Sequence, residues 1–331
     1  MKLLITRKIP QVGINLLSQY KEIEIDYRQG APLSPAEMKK AVKDADAMIA
    51  VIPDKIDENI IKTGKNLQII AAYSVGYDHI DVETATKKKI YVSNTPGDLT
   101  ESVAEHAFTL MMSLARRVVE GDKYCRAKKY KYWDPMLYIG PQMKNKTLGI
   151  IGFGRIGQQM ARLCRNGLEM QILYTDVNQK FDAENLLDAK KVDLDTLLNE
   201  SDVISIHCNL CDETHHMIDT KELEKMKPLS LIINTARGPV IDEGALARAL
   251  KEGWVAGAAL DVFENEPNIH PDLLKLDNVI LTPHIASATY EARIQMARMA
   301  VQNVIDVLIN KTAPRNLVNK ELQKESVHSI V

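Results

Sequence analysis

Cysteine, aromatic residues and any excess of one charge are scarce in this chain of 331 residues. Four cysteines cannot staple a protein of this length, so a disulfide framework is excluded and a reducing compartment is expected. Aromatics make up 5%, which leaves Leu, Ile, Val, Ala and Met to build the cores. Lys plus Arg number 42 against 44 for Asp plus Glu, a net charge of −2. That balance excludes the global positive field of a dedicated nucleic-acid binder. No apolar run approaches the ~18–20 residues that span a bilayer. The opening Met1–Lys8 stretch holds too short an apolar run for a signal peptide. A cytoplasmic protein with neither membrane nor nucleic acid as partner is the expectation. The rest is ordinary globular material, 45% apolar and 26% charged. Single cores stop growing near ~250–300 residues, so the length predicts two domains.

Two series of β-rich runs alternate with helical patterns. Lys2–Thr6, Ile23–Arg28, Ala47–Ile52, Leu67–Tyr73 and Ile90–Thr95 read as strands of the first. Ser34-Pro35-Ala36-Glu37 supplies an N-cap, a first-turn proline and a capping-box acid between two of them. A longer helix follows, with Ser102 and Glu105 at capping-box spacing and Val103, Ala107, Leu110, Leu114 and Val118 as its apolar stripe. Lys123–Met143 has no clear period and reads as an ordered loop. The second series runs through Thr147–Gly152, Gln171–Asp176, Val203–His207, Leu231–Ala236, Ala256–Val262 and Val279–Pro283. Leu148–Ile151 and Leu231–Ile233 are continuously apolar, as buried parallel strands are. Tyr290–Ile309 reads as one amphipathic helix, and a polar tail starts near Asn319. The class is therefore α/β, with two parallel-sheet units; which unit the last helix packs on stays open at this level.

Gly152-Phe153-Gly154-Arg155-Ile156-Gly157 fits G-x-G-x-x-G. Alone the pattern is weak, but here it follows a strand, opens a helix and precedes a strand that ends in Asp176. Gly152 allows the tight turn, Gly154 lets backbone approach a pyrophosphate, and Gly157 lets helix pack on sheet. The helix N-terminus offers free N–H groups to phosphate. Asp176 accepts hydrogen bonds from the adenine ribose and opposes a 2′-phosphate, which favours NAD(H), although Lys180 tempers this.

Open parallel sheets bind ligands beyond the carboxyl ends of their strands. Arg237, Glu266 and His284 all fall at such ends. An imidazole titrating near ~6.5 can give or take the proton of an alcohol/carbonyl pair. A carboxylate bonded to that imidazole favours its charged form, and an arginine fork holds a carboxylate. Singly, each has a bland explanation as a solvated or structural side chain; together, beyond one nucleotide-binding sheet, they read as a site. His207, Cys208 and Cys211 with His215 and His216 invite a zinc site, but no second C-x-x-C accompanies them, and no metal is expected. The basic and aromatic stretch Arg126–Trp133 reads as a solvated loop in a chain of this charge.

Asn234-Thr235-Ala236-Arg237-Gly238, Leu260–Pro267 and Thr282-Pro283-His284-Ile285-Ala286, in this order after Gly152–Gly157, resemble the signature segments of the D-2-hydroxyacid dehydrogenases. The resemblance runs from Lys2 to about Val318. It implies a flavodoxin-like substrate domain and a Rossmann NAD-binding domain, both doubly wound, with the active site in the cleft. Their implied extents are 1–98 with 287–318 for the substrate domain, 99–286 for the NAD domain, and a tail at 319–331. It implies Arg237, Glu266 and His284 as the catalytic trio, with Arg155, Ile156, Thr100, Thr235, Ala236 and Asp261 at the cofactor, Asp261 on the nicotinamide carboxamide. Tyr73, Val75 and Gly76 would bind substrate, the last two through backbone N–H groups on its carboxylate. It further implies a homodimer, with Trp133 reaching toward the neighbouring subunit's site. Tyr73–Asp81 and the Glu266-to-His284 interval look most like the glyoxylate/hydroxypyruvate reductases. Glu101–His106 is closer to phosphoglycerate dehydrogenase-like members, and Asp176-Val177 stands where many relatives have an NADP pocket. Chemistry on 3-phosphoglycerate, 2-ketogluconate or D-lactate, or a non-catalytic NAD(H)-sensing corepressor, are the alternatives.

Overall fold

The structure, a computed structural model, describes residues 1–97 and 99–323. The chain forms two compact units, Met1–Asp98 with Thr289–Val331, and Leu99–Ala288.

The first unit runs β1 (Lys2–Ile5), α1 (Gln11–Leu17), β2 (Glu24–Tyr27), α2 (Pro35–Val42), β3 (Ala47–Ala50), α3 (Glu58–Thr63), β4 (Ile69–Ala72), α4 (Val82–Lys87) and β5 (Tyr91–Ser93). Its strands are parallel in the order β2-β1-β3-β4-β5, the flavodoxin-like winding. Every residue of β3 and β4 is buried, which is why neither shows apolar/polar alternation. The expected capping box forms at α2: Glu37 N donates to Ser34 Oγ, and Ser34 N donates to the Glu37 carboxylate at 2.8 Å.

The second unit opens with α5 (Leu99–Ala115) and α6 (Val118–Arg126). It continues β6 (Thr147–Ile151), α7 (Arg155–Leu168), β7 (Gln171–Thr175), α8 (Phe181–Leu187), β8 (Ala189–Lys191), α9 (Leu194–Glu200) and β9 (Val203–Ile206). Then come α10 (Thr220–Glu224), β10 (Leu231–Asn234), α11 (Glu243–Glu252), β11 (Gly257–Leu260) and β12 (Val279–Leu281). The sheet order is β12-β11-β10-β9-β6-β7-β8, all parallel, so the winding reverses between β6 and β9. That reversal is the Rossmann switch point, where such sheets bind ligands. The rings of Phe153 and Tyr174 stack at 4.1 Å in the core beneath it. The last helix, α12 (Tyr290–Leu308), packs in the first unit on α1, β3 and β4.

Local readings differ in four places. The helix at 102 starts a turn earlier, at Leu99, so Ser102 lies inside it, buried, and is no cap. Residues 118–126, partly read as loop, are helical, but no residue of α6 is buried and so none marks a period. β8 has one buried residue and forms by pairing with β7, Lys191 opposite Tyr174. Asn319, where the tail was to begin, is buried: it accepts from Val92 N at 2.9 Å and donates to Ile90 O at 2.9 Å. Of that tail, 324–331 lie outside the described residues, as does Asp98. No helix among the described residues is long and apolar enough to cross a membrane.

Candidate active site

The turn after β6 is built around what its glycines permit. Gly152 has φ +89°, and a Cβ on it would lie 2.5 Å from Cys208 N, so the turn seats directly on the chain leaving β9. A Cβ on Gly157 would lie 2.4 Å from the Gly152 carbonyl. Gly154, the N-cap of α7, has nothing among the described residues beyond its own chain neighbours and helix within 4 Å of that position, and α7 has no side-chain cap. Free amides and open space at one helix N-terminus fit a dinucleotide pyrophosphate beside Gly154, Arg155 and Ile156. Asp176 closes the turn: Phe153 N donates to Oδ2 at 2.8 Å, Asn178 N donates to Oδ1 at 3.0 Å, and Lys180 Nζ lies 3.8 Å from Oδ1.

The loops after β10, β11 and β12 carry the trio. Asn234 ties its own turn, accepting from Ala236 N at 3.0 Å and donating to Arg237 O at 2.9 Å. Arg237 donates from Nη1 to Ala236 O at 2.7 Å. A Cβ on Gly238 would lie 1.9 Å from the Phe263 carbonyl carbon, so only glycine lets the Arg237 turn press on the loop that carries Glu266. That loop is pinned by a reciprocal pair: Glu243 N donates to the Glu264 carboxylate at 2.7 Å, and Glu264 N donates to the Glu243 carboxylate at 2.9 Å. Burial pushes the Glu243 carboxyl above its usual range. Glu266 receives Phe263 N at 3.1 Å on Oε1 and His284 Nδ1 at 2.8 Å on Oε2. His284 Nε2 has no partner among the described residues. Near the Arg237 turn, the Thr235 hydroxyl is buried without a partner among the described residues, a donor and acceptor left for a ligand.

Asp261 does not reach the surface. Its Oδ1 accepts from Thr282 Oγ1 at 2.6 Å and Ile285 N at 2.9 Å, and its Oδ2 from Ala286 N at 2.7 Å. These bonds tie Asp261 to the loop after β12. His106 completes that cluster, with Nε2 3.2 Å from Thr282 Oγ1 and 3.5 Å from Asp261 Oδ1. Sequence reasoning gave His106 no function, because its partners lie far along the chain and only the fold joins them. Thr100 lies in the first turn of α5.

The first unit holds the remaining residues. Tyr73 is buried and donates its hydroxyl to Arg293 O at 2.8 Å, and burial pushes its phenol up to about 12. That bond ties the end of β4 to α12. Val75 is exposed, and the N–H groups of Val75 and Gly76 bond to none of the described residues. Asn94 Nδ2 to Val75 O at 2.7 Å and Ser74 Oγ to Gly76 O at 2.6 Å fix that peptide stretch.

His207 and Cys208 belong to the protein's own framework. Ser205 Oγ lies 2.8 Å from His207 Nε2, and burial pushes that imidazole down to about 4 and the Cys208 thiol up to about 11. The His215 and His216 rings lie with centroids 4.2 Å apart, tilted by 32°, with His216 Nε2 3.3 Å from Glu264.

The sequence matches the family model for the NAD binding domain of D-isomer specific 2-hydroxyacid dehydrogenase over residues 108–286. A glyoxylate reductase of Thermococcus litoralis is 47% identical over 329 residues, 98% of each chain. A solved protein of Thermus thermophilus is 38% identical with a TM-score of 0.90, over 96% of this chain and 100% of that one. A glyoxylate reductase from Paecilomyes thermophila is 31% identical with a TM-score of 0.85, over 97% of this chain and 99% of that one.

Proposed function

The chain belongs to the D-isomer specific 2-hydroxyacid dehydrogenases, and we propose that it reduces small 2-oxoacids, glyoxylate first and hydroxypyruvate with it, using NAD(H). The observation that carries the chemistry is the 2.8 Å contact between His284 Nδ1 and Glu266 Oε2, which leaves Nε2 as the nitrogen able to face a substrate. When bound, the nicotinamide supplies the hydride.

Every other element of the reaction belongs to side chains and amides of this protein. His284 donates its Nε2 proton to the substrate carbonyl oxygen as that oxygen takes on charge, and ends neutral with Nδ1–H on Glu266. Glu266, anchored by Phe263 N, fixes the ring and stabilises its charged form before transfer. Arg237 polarises the carbonyl and pairs with the substrate carboxylate. Val75 and Gly76 are the proposed backbone donors to that carboxylate. In the oxidative direction the same nitrogen takes the proton back.

A homodimer in the cytoplasm is the setting proposed for this activity. Tyr132, Trp133, Met136 and Ile139 of the second unit are all exposed, Trp133 at 76%. Large apolar side chains grouped this way suit a surface covered by a second copy.

Incubation of the purified protein with NADH and a panel of 2-oxoacids, followed by NADH absorbance, tests the reading. Glyoxylate is expected to give the highest kcat/KM, with hydroxypyruvate next. Tight NADH binding without turnover of any 2-oxoacid would overturn it in favour of a sensor. Sedimentation at micromolar concentration tests the dimer.

A further inference from the structure

A charged carboxylate with no solvent exposure needs donors on every side, and Asp261 has them from two directions. From one side the loop after β12 offers Thr282 Oγ1 and the amides of Ile285 and Ala286. From the other, α5 offers His106 Nε2, 3.5 Å from Oδ1 and 3.2 Å from Thr282 Oγ1. Burial works to raise the Asp261 carboxyl, and the bonds from His106, Thr282, Ile285 and Ala286 outweigh it and hold it below the usual carboxylate range. His106 is the partner in this set that comes from α5.

What the clasp encloses is His284. That residue has φ +52°, in the left-handed region that side chains other than glycine avoid. Its own N–H lies within bonding distance of Asp261 O at 2.9 Å and Thr282 O at 3.0 Å. Asp261 therefore grips the proton donor's backbone with its carbonyl and the next amides with its carboxylate. Strained backbone at a working residue persists only where its surroundings over-determine it.

We propose that His106 is a positioning residue for the reaction: it secures the buried Asp261 carboxylate, and through it the left-handed turn that aims His284. The effect on turnover rests on the reading of His284 as proton donor; the effect on the turn does not.

Paired variants separate this from general stabilisation. His106→Asn stays polar but is too short to reach Asp261, whereas His106→Gln places an amide nitrogen near the position of Nε2. Residue-resolved hydrogen exchange should show the Ile285 and Ala286 amides of His106→Asn exchanging ~10-fold faster or more, with β6 unchanged. Those of His106→Gln should stay near wild type. In glyoxylate reduction, kcat of His106→Asn should fall by ~10–100-fold, while KM for NADH and glyoxylate moves by no more than about 2-fold. His106→Gln should recover most of kcat. Unchanged exchange at Ile285 and Ala286 in the Asn variant, unchanged kcat there, or a Gln variant as impaired as Asn would each sink the proposal. A wild-type protein inert on 2-oxoacids would instead overturn the reading of the reaction, and the exchange measurement would still decide the clasp.

Discussion

His284 Nδ1 lies 2.8 Å from Glu266 Oε2, and the other oxygen of that carboxylate accepts Phe263 N at 3.1 Å. The pair thus has one end fixed to backbone and the other end open. Removal of the open end should cost the most. His284→Ala should lower kcat by ~10²–10⁴-fold, the usual worth of a general acid, while NADH binding, read by fluorescence titration, is retained. Glu266→Gln keeps the shape but loses the charge-assisted bond, so kcat should fall by the smaller ~10–100-fold. Equal rates for wild type and His284→Ala would mean that the proton donor is another group.

Gly154 and Gly157 stand three residues apart and should respond to alanine in opposite ways. At Gly157 the new methyl meets the Gly152 carbonyl at 2.4 Å, so the turn must shift. Denaturant unfolding should show a loss of ~1–3 kcal/mol, the range for overpacking. At Gly154 the methyl meets nothing among the described residues beyond its own chain neighbours and helix within 4 Å. Stability should stay within ~0.5 kcal/mol of wild type, yet NADH should bind ~10-fold more weakly or worse, because the methyl fills the space meant for pyrophosphate. A Gly154→Ala protein with normal NADH affinity would show that the phosphates lie elsewhere.

The residues that announced themselves in sequence did so through local chemistry. Gly152, Gly154 and Gly157 sit within one turn, and their spacing encodes backbone demands that any reader of the chain can apply. The buried strands β3, β4 and β10 were legible because parallel strands covered on both faces need no polar alternation. The elements that escaped, α6 and β8, bury little and so write no period. The Asp261 clasp escaped for a different reason. His106, Asp261 and Thr282 come from distant segments, and their meeting depends on α5 packing beside β10, β11 and β12. The bond from the Tyr73 hydroxyl to Arg293 O in α12 escaped in the same way, because its partner lies far along the chain and only the fold joins them.

Asp176 should govern both the shape of the turn and the choice of cofactor. Its carboxylate holds Phe153 N and Asn178 N, so Asp176→Ala frees the Gly-rich turn as it removes the negative charge facing a 2′-phosphate. Lys180, 3.8 Å away, is then left without its acidic neighbour and becomes available to a phosphate. The ratio of kcat/KM for NADH over NADPH should fall by ~10-fold or more. Asp176→Asn should retain more of the NADH affinity than Asp176→Ala, because its amide oxygen can still accept Phe153 N. A wild type that already prefers NADPH, or a ratio unmoved by Asp176→Ala, would refute this account of the pocket.

His207 should make the protein less stable in mild acid. Burial holds its imidazole down at about 4 in the folded protein, whereas the unfolded chain titrates near the usual ~6.5. Above the unfolded value the ring is neutral in both states and exerts no pull. As pH falls below it, the unfolded chain takes up the proton first, so stability drops until the folded value is passed. The expected loss from this group between pH 7 and pH 5 is ~1–2 kcal/mol, allowing for partial exposure of the residue. His207→Gln keeps a partner for Ser205 Oγ but cannot be protonated, so its stability should vary less with pH over this window. Urea unfolding of both proteins at the two pH values gives the difference directly. Parallel pH profiles would place the acid sensitivity on other groups and show that the His207 ring is hydrated when folded.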